Sequence, residues 1–177
     1  MKVIRLPKNR GKGAAVRAGM LAASGEMVLM YDADGATPIT ELPKLLAAVS
    51  AGADVAIGSR VMDRGEALSS MRPHRRLIGR VYRCLSGRLI PGVRDAACGC
   101  KLFTSSAART LFSEQRIDRF AFDVEVLALT LRHRMKLAEI PVKWTAVAES
   151  KVRLLRDGTE MFLCLLRLYL KPPKPKN

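Results

Sequence analysis

The chain has 177 residues, the length of one domain, and its 49% hydrophobic and 27% charged residues support a buried core and exclude disorder over most of the length. Lysine and arginine outnumber aspartate and glutamate by 31 to 16, a formal net charge of +15 that calls for an anionic partner: nucleic acid, an anionic membrane or a phosphorylated substrate. With 5% aromatic residues and no RRM, KH or zinc-finger pattern, no nucleic-acid partner is expected.

Val3-Ile4-Arg5-Leu6 opens the chain as a short strand candidate, followed by the glycine-rich turn Asn9-Arg10-Gly11-Lys12-Gly13. A helix is expected from Ala14 to Ala23, stopped by Ser24-Gly25. Met27 to Tyr31 is an apolar run of strand length, of the kind buried on both faces in a parallel sheet, and it ends at Asp32-Ala33-Asp34-Gly35. Thr40 to Ser50 reads as a helix with Pro43 in its first turn, and Asp54 to Ile57 as a strand ending at Gly58-Ser59-Arg60. This alternation predicts an α/β domain with a mainly parallel sheet flanked by helices. Ligands of such sheets lie beyond the carboxyl ends of the strands, where Asp32, Asp34 and Arg60 all fall.

From Arg75 to Ile90 apolar residues recur at helical spacing among five arginines. The pattern fits a basic amphipathic helix on an anionic membrane, and equally a core helix with a solvated arginine face. Ser105 or Ser106 is expected to cap a helix running through Leu111. A stronger helix follows from Phe122 to Arg134, then a late strand within residues 136–145. Met161 to Leu170 is strongly apolar and suits either the interface or the core, and residues 171–177 form a basic, proline-rich tail. No leader-like apolar segment opens the chain, and no apolar stretch reaches the roughly 20 residues a membrane span needs. The four cysteines, Cys84, Cys98, Cys100 and Cys164, lack zinc-site spacing and read as reduced thiols of a cytosol-facing protein.

Asp32-x-Asp34 is the sharpest chemical feature. Paired carboxylates at a strand end hold a hard cation such as Mg²⁺ or Mn²⁺, which bridges and neutralises a departing diphosphate; D-x-D pairs also cap turns. Gly11-Lys12-Gly13 ahead of a helix offers a phosphate cradle, but the dinucleotide fingerprint fails at Val16, where a small residue is required. Asp95 lies in a basic, glycine-containing segment and reads as a turn aspartate or a functional acid. Asp123 and Glu125 near a helix start do not share a face, so they form no single paired site. Ser150-Lys151 offers a hydroxyl and a cation for a phosphate, or a solvated loop.

Seven motifs stand in a familiar order: Asn9 to Gly13, Asp32 to Thr37, Gly58 to Arg60, Arg94 to Phe103, Phe120 to Glu125, Glu139 to Thr145, and Ser150-Lys151. In that order the chain resembles the dolichyl-phosphate β-glucosyltransferases, inverting enzymes of the GT-A fold, over about residues 3–170. The resemblance implies glucose transfer from UDP-glucose to dolichyl or another polyprenyl phosphate, for lipid-linked glycan assembly. It implies Asp32 and Asp34 as metal and donor-diphosphate ligands, with Lys12 and Arg60 lining the donor site. Asp95 matches the aspartate that acts as base or positioning group near the acceptor phosphate, which Ser150 and Lys151 would hold. It further implies an enzyme on the cytosolic face of a membrane, the endoplasmic reticulum in a eukaryote, touching its anionic surface. Against the family pattern the chain opens at what should be the third strand, so a first βαβ unit is expected to be missing, and Cys100 replaces a more usual aromatic. The competing expectations are another hexose such as mannose on the same carrier, or an inactive truncated relative that binds membrane.

Overall fold

The computed structural model describes residues 3–60, 84–145 and 154–170. In chain order these form α1 (Lys12–Ala22), β1 (Met27–Tyr31), a short 3₁₀ turn (Ile39–Glu41), α2 (Leu42–Ser50), β2 (Val55–Ser59), a helical stretch over residues 84–89 (α3), β3 (Cys100–Thr104), α4 (Ser105–Glu114), α5 (Phe122–Arg132), β4 (Leu137–Pro141) and α6 (Leu154–Leu170). The strands make one sheet in the order β1-β3-β2-β4. β3 runs antiparallel to both β1 and β2, while β2 and β4 are parallel, with Ile57 opposite Glu139 and Ser59 opposite Pro141.

The α/β class is as expected, but the sheet is mixed rather than mainly parallel. β3 inserts between β1 and β2 and reverses the direction of two pairings. Because both pairings are antiparallel, the right-handed rule for parallel βαβ units does not govern it. Val3–Leu6 is not a strand. It has no ladder partner among the described residues, and Val3 is exposed. The cap of α4 is Thr104, one residue before the expected serines; its hydroxyl accepts the Ala107 N–H at 3.2 Å, so the last residue of β3 also starts the helix.

Period-two alternation divides the core between the two faces of the sheet. Val28, Met30, Val55, Ile57 and Phe103 face α1, α4 and α5. Leu29, Ala56, Cys100 and Leu102 face α2 through Leu45 and Val49. α5 is buried at every residue from Phe122 to Thr130, which explains why its apolar pattern has no polar face. Leu85 and Leu89 of α3 pack on this core, so the described end of the basic helical segment faces inward; residues 75–83 lie outside the described residues. α6 packs on the core along one side only. Leu165 and Leu168 are buried in the core, while Phe162, Leu163, Leu166, Tyr169 and Leu170 stay exposed.

A fully buried ion pair lies within the larger core. Lys101 shares the face of Phe103 on β3 and is 1% exposed. Its ammonium donates to the Asp123 carboxylate at 2.5 Å and to the Cys98 carbonyl at 2.6 Å. Burial pushes the Asp123 carboxyl up, and the Lys101 charge opposes the rise. Removing one partner strands the other charge in the core. Lys101→Met is therefore expected to cost about 3–5 kcal/mol in urea unfolding, and Lys101→Met with Asp123→Leu to recover most of that loss.

Candidate active site

The carboxyl ends of β1 and β2 carry two charge pairs. Asp32 follows directly on β1, and its backbone N–H donates to the Gly99 carbonyl at 2.8 Å, which ties the strand end to the turn before β3. The Lys12 ammonium, at the first residue of α1, lies 2.8 Å from Oδ2 and 2.7 Å from Oδ1 of Asp32. Gly99 leaves room for that carboxylate: a Cβ there would lie 2.2 Å from Asp32 Cγ and Oδ2. Asp34 is exposed, and its Oδ1 accepts the Ala36 N–H at 3.0 Å, closing the turn in which Gly35 adopts φ +67°.

The glycines of the preceding turn have a packing role. At Gly13 a Cβ would lie 2.4 Å from the Ile117 carbonyl oxygen, and at Gly11, with φ +110°, 2.7 Å from that of Asp118. The Ala14 N–H at the start of α1 donates to the Asp118 carbonyl. Close approach of α1 to the 117–119 turn thus accounts for both glycines, and Lys12 is the group this turn presents to Asp32.

Asp95 is 4% exposed. Its Oδ2 accepts the Arg60 backbone N–H at 3.0 Å and Nε at 2.7 Å, and its Oδ1 accepts Nη2 at 2.7 Å. Burial works to raise this carboxyl, but the hydrogen bonds and charge of Arg60 outweigh it and hold the group below the usual carboxylate range. Burial likewise works against the Arg60 charge, and Asp95 more than restores it. The Arg60 guanidinium also lies over the Trp144 ring, 5.6 Å from its centre. The Asp95 and Arg94 backbone N–H groups in turn donate to the Glu139 carboxylate, at 2.8 Å and at 3.0–3.2 Å. Fields connect the two pairs: Lys101 lowers Asp95, Asp123 acts on Arg60, and Lys12 and Asp32 act on Asp123.

Lys12 with Asp32 and Arg60 with Asp95 are thus brought together as charge partners, while the Asp34 carboxylate, two residues on from Asp32, bonds the Ala36 N–H. Ser150 and Lys151 lie outside the described residues. Asp123 and Glu125 take separate partners, as their spacing predicts: Asp123 binds Lys101, while Glu125 accepts the Arg116 and Ile117 N–H groups.

Residues 1–112 match the model of the glycosyl transferase family 2, "Glycosyl transferase family 2". The chain belongs to glycosyl transferase family 2. Within it, a dolichyl-phosphate beta-glucosyltransferase of Trichomonas vaginalis is 39% identical over 163 residues, covering 87% of this chain and 48% of the relative. Human dolichyl-phosphate beta-glucosyltransferase is 38% identical over 159 residues (86% and 49%), and that of Drosophila melanogaster 36% over 178 residues (94% and 55%). The chain spans about half the length of these curated relatives. Among solved structures, glucosyl-3-phosphoglycerate synthase from Mycobacterium tuberculosis in complex with phosphoglyceric acid matches with a TM-score of 0.67 and 18% identity, over 92% of this chain and 56% of that one. The same enzyme with Mn²⁺, uridine-diphosphate and phosphoglyceric acid gives a TM-score of 0.68 and 17% identity, over 93% and 55%. At this identity the likeness shows the fold, which is GT-A.

Three contributors to this candidate site stand within the motifs but take no role from them: Lys101, Gly99 and Glu139. Lys101 carries a signal, since a lysine inside the apolar run Cys100 to Phe103 demands a buried partner. The roles of Gly99 and Glu139 need the fold: one is explained by Asp32 and the other by a turn 44 residues away.

Because folding lowers the Asp95 carboxyl, its pairing stabilises the chain above the ordinary carboxylate value of about 3.9, and the benefit is lost as pH falls through the folded value. Asp95→Asn is expected to cost about 1–3 kcal/mol in urea unfolding at pH 7. The gap to the unsubstituted chain should narrow as the pH drops below about 4, and a gap that stays constant to pH 3 would contradict the pairing.

Proposed function

We propose that the chain carries the donor half of a glucosyl-transfer site, which moves glucose from UDP-glucose to dolichyl or another polyprenyl phosphate with inversion at the anomeric carbon. The observation that carries the reading is the Lys12–Asp32 contact at the carboxyl end of β1, with Asp34 two residues on and the Arg60–Asp95 pair at the end of β2. Ligands of open α/β sheets sit at this edge. The names of the relatives, matched over most of this chain, support the sugar and the acceptor.

The donor set suits a hard divalent ion. Asp32 and Asp34 offer only oxygens, Asp34 is exposed, and its one described bond leaves Oδ2 available. Mn²⁺ or Mg²⁺ held there would neutralise charge on the diphosphate. Lys12 already places a positive charge on Asp32, and its ammonium would serve a phosphate oxygen of the donor with the carboxylates holding the metal. Arg60, held by Asp95 and Trp144, presents a fixed charge to the same diphosphate.

In the transfer step an acceptor phosphate oxygen forms a bond to the anomeric carbon as the bond to the diphosphate breaks, and UDP departs with the electron pair. The acceptor phosphate is largely deprotonated at neutral pH, its second pKa being near 6, so the step needs little help from a base. Asp95, with both oxygens engaged by Arg60, serves as a positioning group rather than a proton acceptor. Ser150 and Lys151 complete the proposal as acceptor-phosphate ligands. The exposed apolar side of α6 and the basic excess suit attachment to an anionic membrane on its cytosolic face. Among the described residues no helix is long and apolar enough to cross a membrane.

Labelled glucose from UDP-glucose should appear on dolichyl phosphate in detergent with Mn²⁺, and GDP-mannose should not compete. Asp34→Asn is expected to lower transfer by about 100-fold or more. Transfer that persists in Asp34→Asn or in the presence of EDTA would rule out the metal-binding role.

A further inference from the structure

Glu139 lies in the middle of β4, across from Ile57 of β2. It is half-buried, and its described bonds come from backbone N–H groups rather than from a cation. The donors belong to Arg94 and Asp95, in a segment that forms no strand ladder. Without Glu139 these N–H groups have no acceptor among the described bonds, and the turn is free to shift on the sheet. With it, the Asp95 main chain is fixed to β4. The Asp95 carboxylate then fixes Arg60 through three bonds. The chain continues past the end of β4 at Pro141 to Trp144, over whose ring the Arg60 guanidinium lies, 5.6 Å from its centre. The Val142 N–H bonds the Ser59 carbonyl and the Thr145 N–H the Ala36 carbonyl, which hold this continuation in place. Both sides of the Arg60 clamp are therefore set from β4.

We infer that Glu139 is a positioning residue for donor binding, acting through the Asp95 turn to hold the Arg60 guanidinium against Trp144. The inference rests on the proposed donor role of Arg60. A carboxylate suits the place because both of its oxygens accept and neither donates. Glutamine keeps one acceptor but turns an NH₂ group toward one of the two N–H donors, so one bond becomes a repulsion.

Trp144 is the only tryptophan of the chain, so its fluorescence reports on Arg60 directly. Three variants separate the possibilities: Glu139→Gln, Glu139→Asp and Arg60→Met. Each is read by Trp144 emission without ligand and by titration with UDP-glucose and Mn²⁺. Glu139→Gln is expected to shift the emission in the same direction as Arg60→Met and to weaken UDP-glucose about tenfold. Glu139→Asp, which keeps the charge on a shorter arm, should give a smaller change of the same sign. If Glu139→Gln fails to fold, as read by far-UV circular dichroism, Glu139→Asp decides. Wild-type emission and affinity in the Glu139 variants, with both altered in Arg60→Met, would overturn the inference and leave the donor site standing. Emission shifted in all three variants with UDP-glucose affinity unchanged would instead remove Arg60 from the donor site, and with it the role given to Glu139.

Discussion

A carboxylate that is 4% exposed and accepts three bonds from one arginine is the constraint on which the site depends. Desolvation opposes both charges of the Asp95–Arg60 pair, and only bidentate geometry with an added backbone bond offsets it. That geometry requires the end of β2, the turn before β3 and the β4 strand to meet at one point. The mixed sheet supplies the meeting. β3 enters between β1 and β2, so the turn leading into it crosses the carboxyl ends of both.

The second pair follows from the same arrangement. Asp32 occupies the space that only a glycine at position 99 leaves open, one residue before β3 begins. Beneath it, Lys101 on β3 draws the amino end of α5 toward the sheet through Asp123. α5 in turn packs Phe122 against Gly13 at the start of α1, the helix that delivers Lys12. A buried ion pair, a glycine contact and a half-buried ion pair thus form one chain of support from the core to the proposed diphosphate position. Charged groups held in place before a ligand arrives need little reorganisation when charge develops on it.

Much of this was legible in the residues. Apolar runs ending in Asp32 and in Arg60 located the strand ends, and the order of motifs selected the family. The direction of β3 was not legible, since Cys100 to Phe103 reads as a short strand whichever way its neighbours run. Nor were the pairings. Sequence spacing does not indicate that Asp95 faces Arg60, 35 residues away, or that Glu139 supports it. The basic segment at residues 75–90 remained ambiguous because one amphipathic pattern serves a core and a membrane alike. Its described end faces the core. Val3–Leu6 shows the converse: local strand preference is insufficient where the described residues offer no ladder partner.

The central claim is that Asp32 and the charges around it form a metal-dependent nucleotide site. Calorimetric titration of the chain with UDP, in Mn²⁺ and then in EDTA, tests it most directly, with Asp32→Asn measured alongside. The account predicts saturable binding in Mn²⁺ that disappears in EDTA and in Asp32→Asn. UDP binding of equal strength with and without the metal, and unchanged in Asp32→Asn, would contradict it.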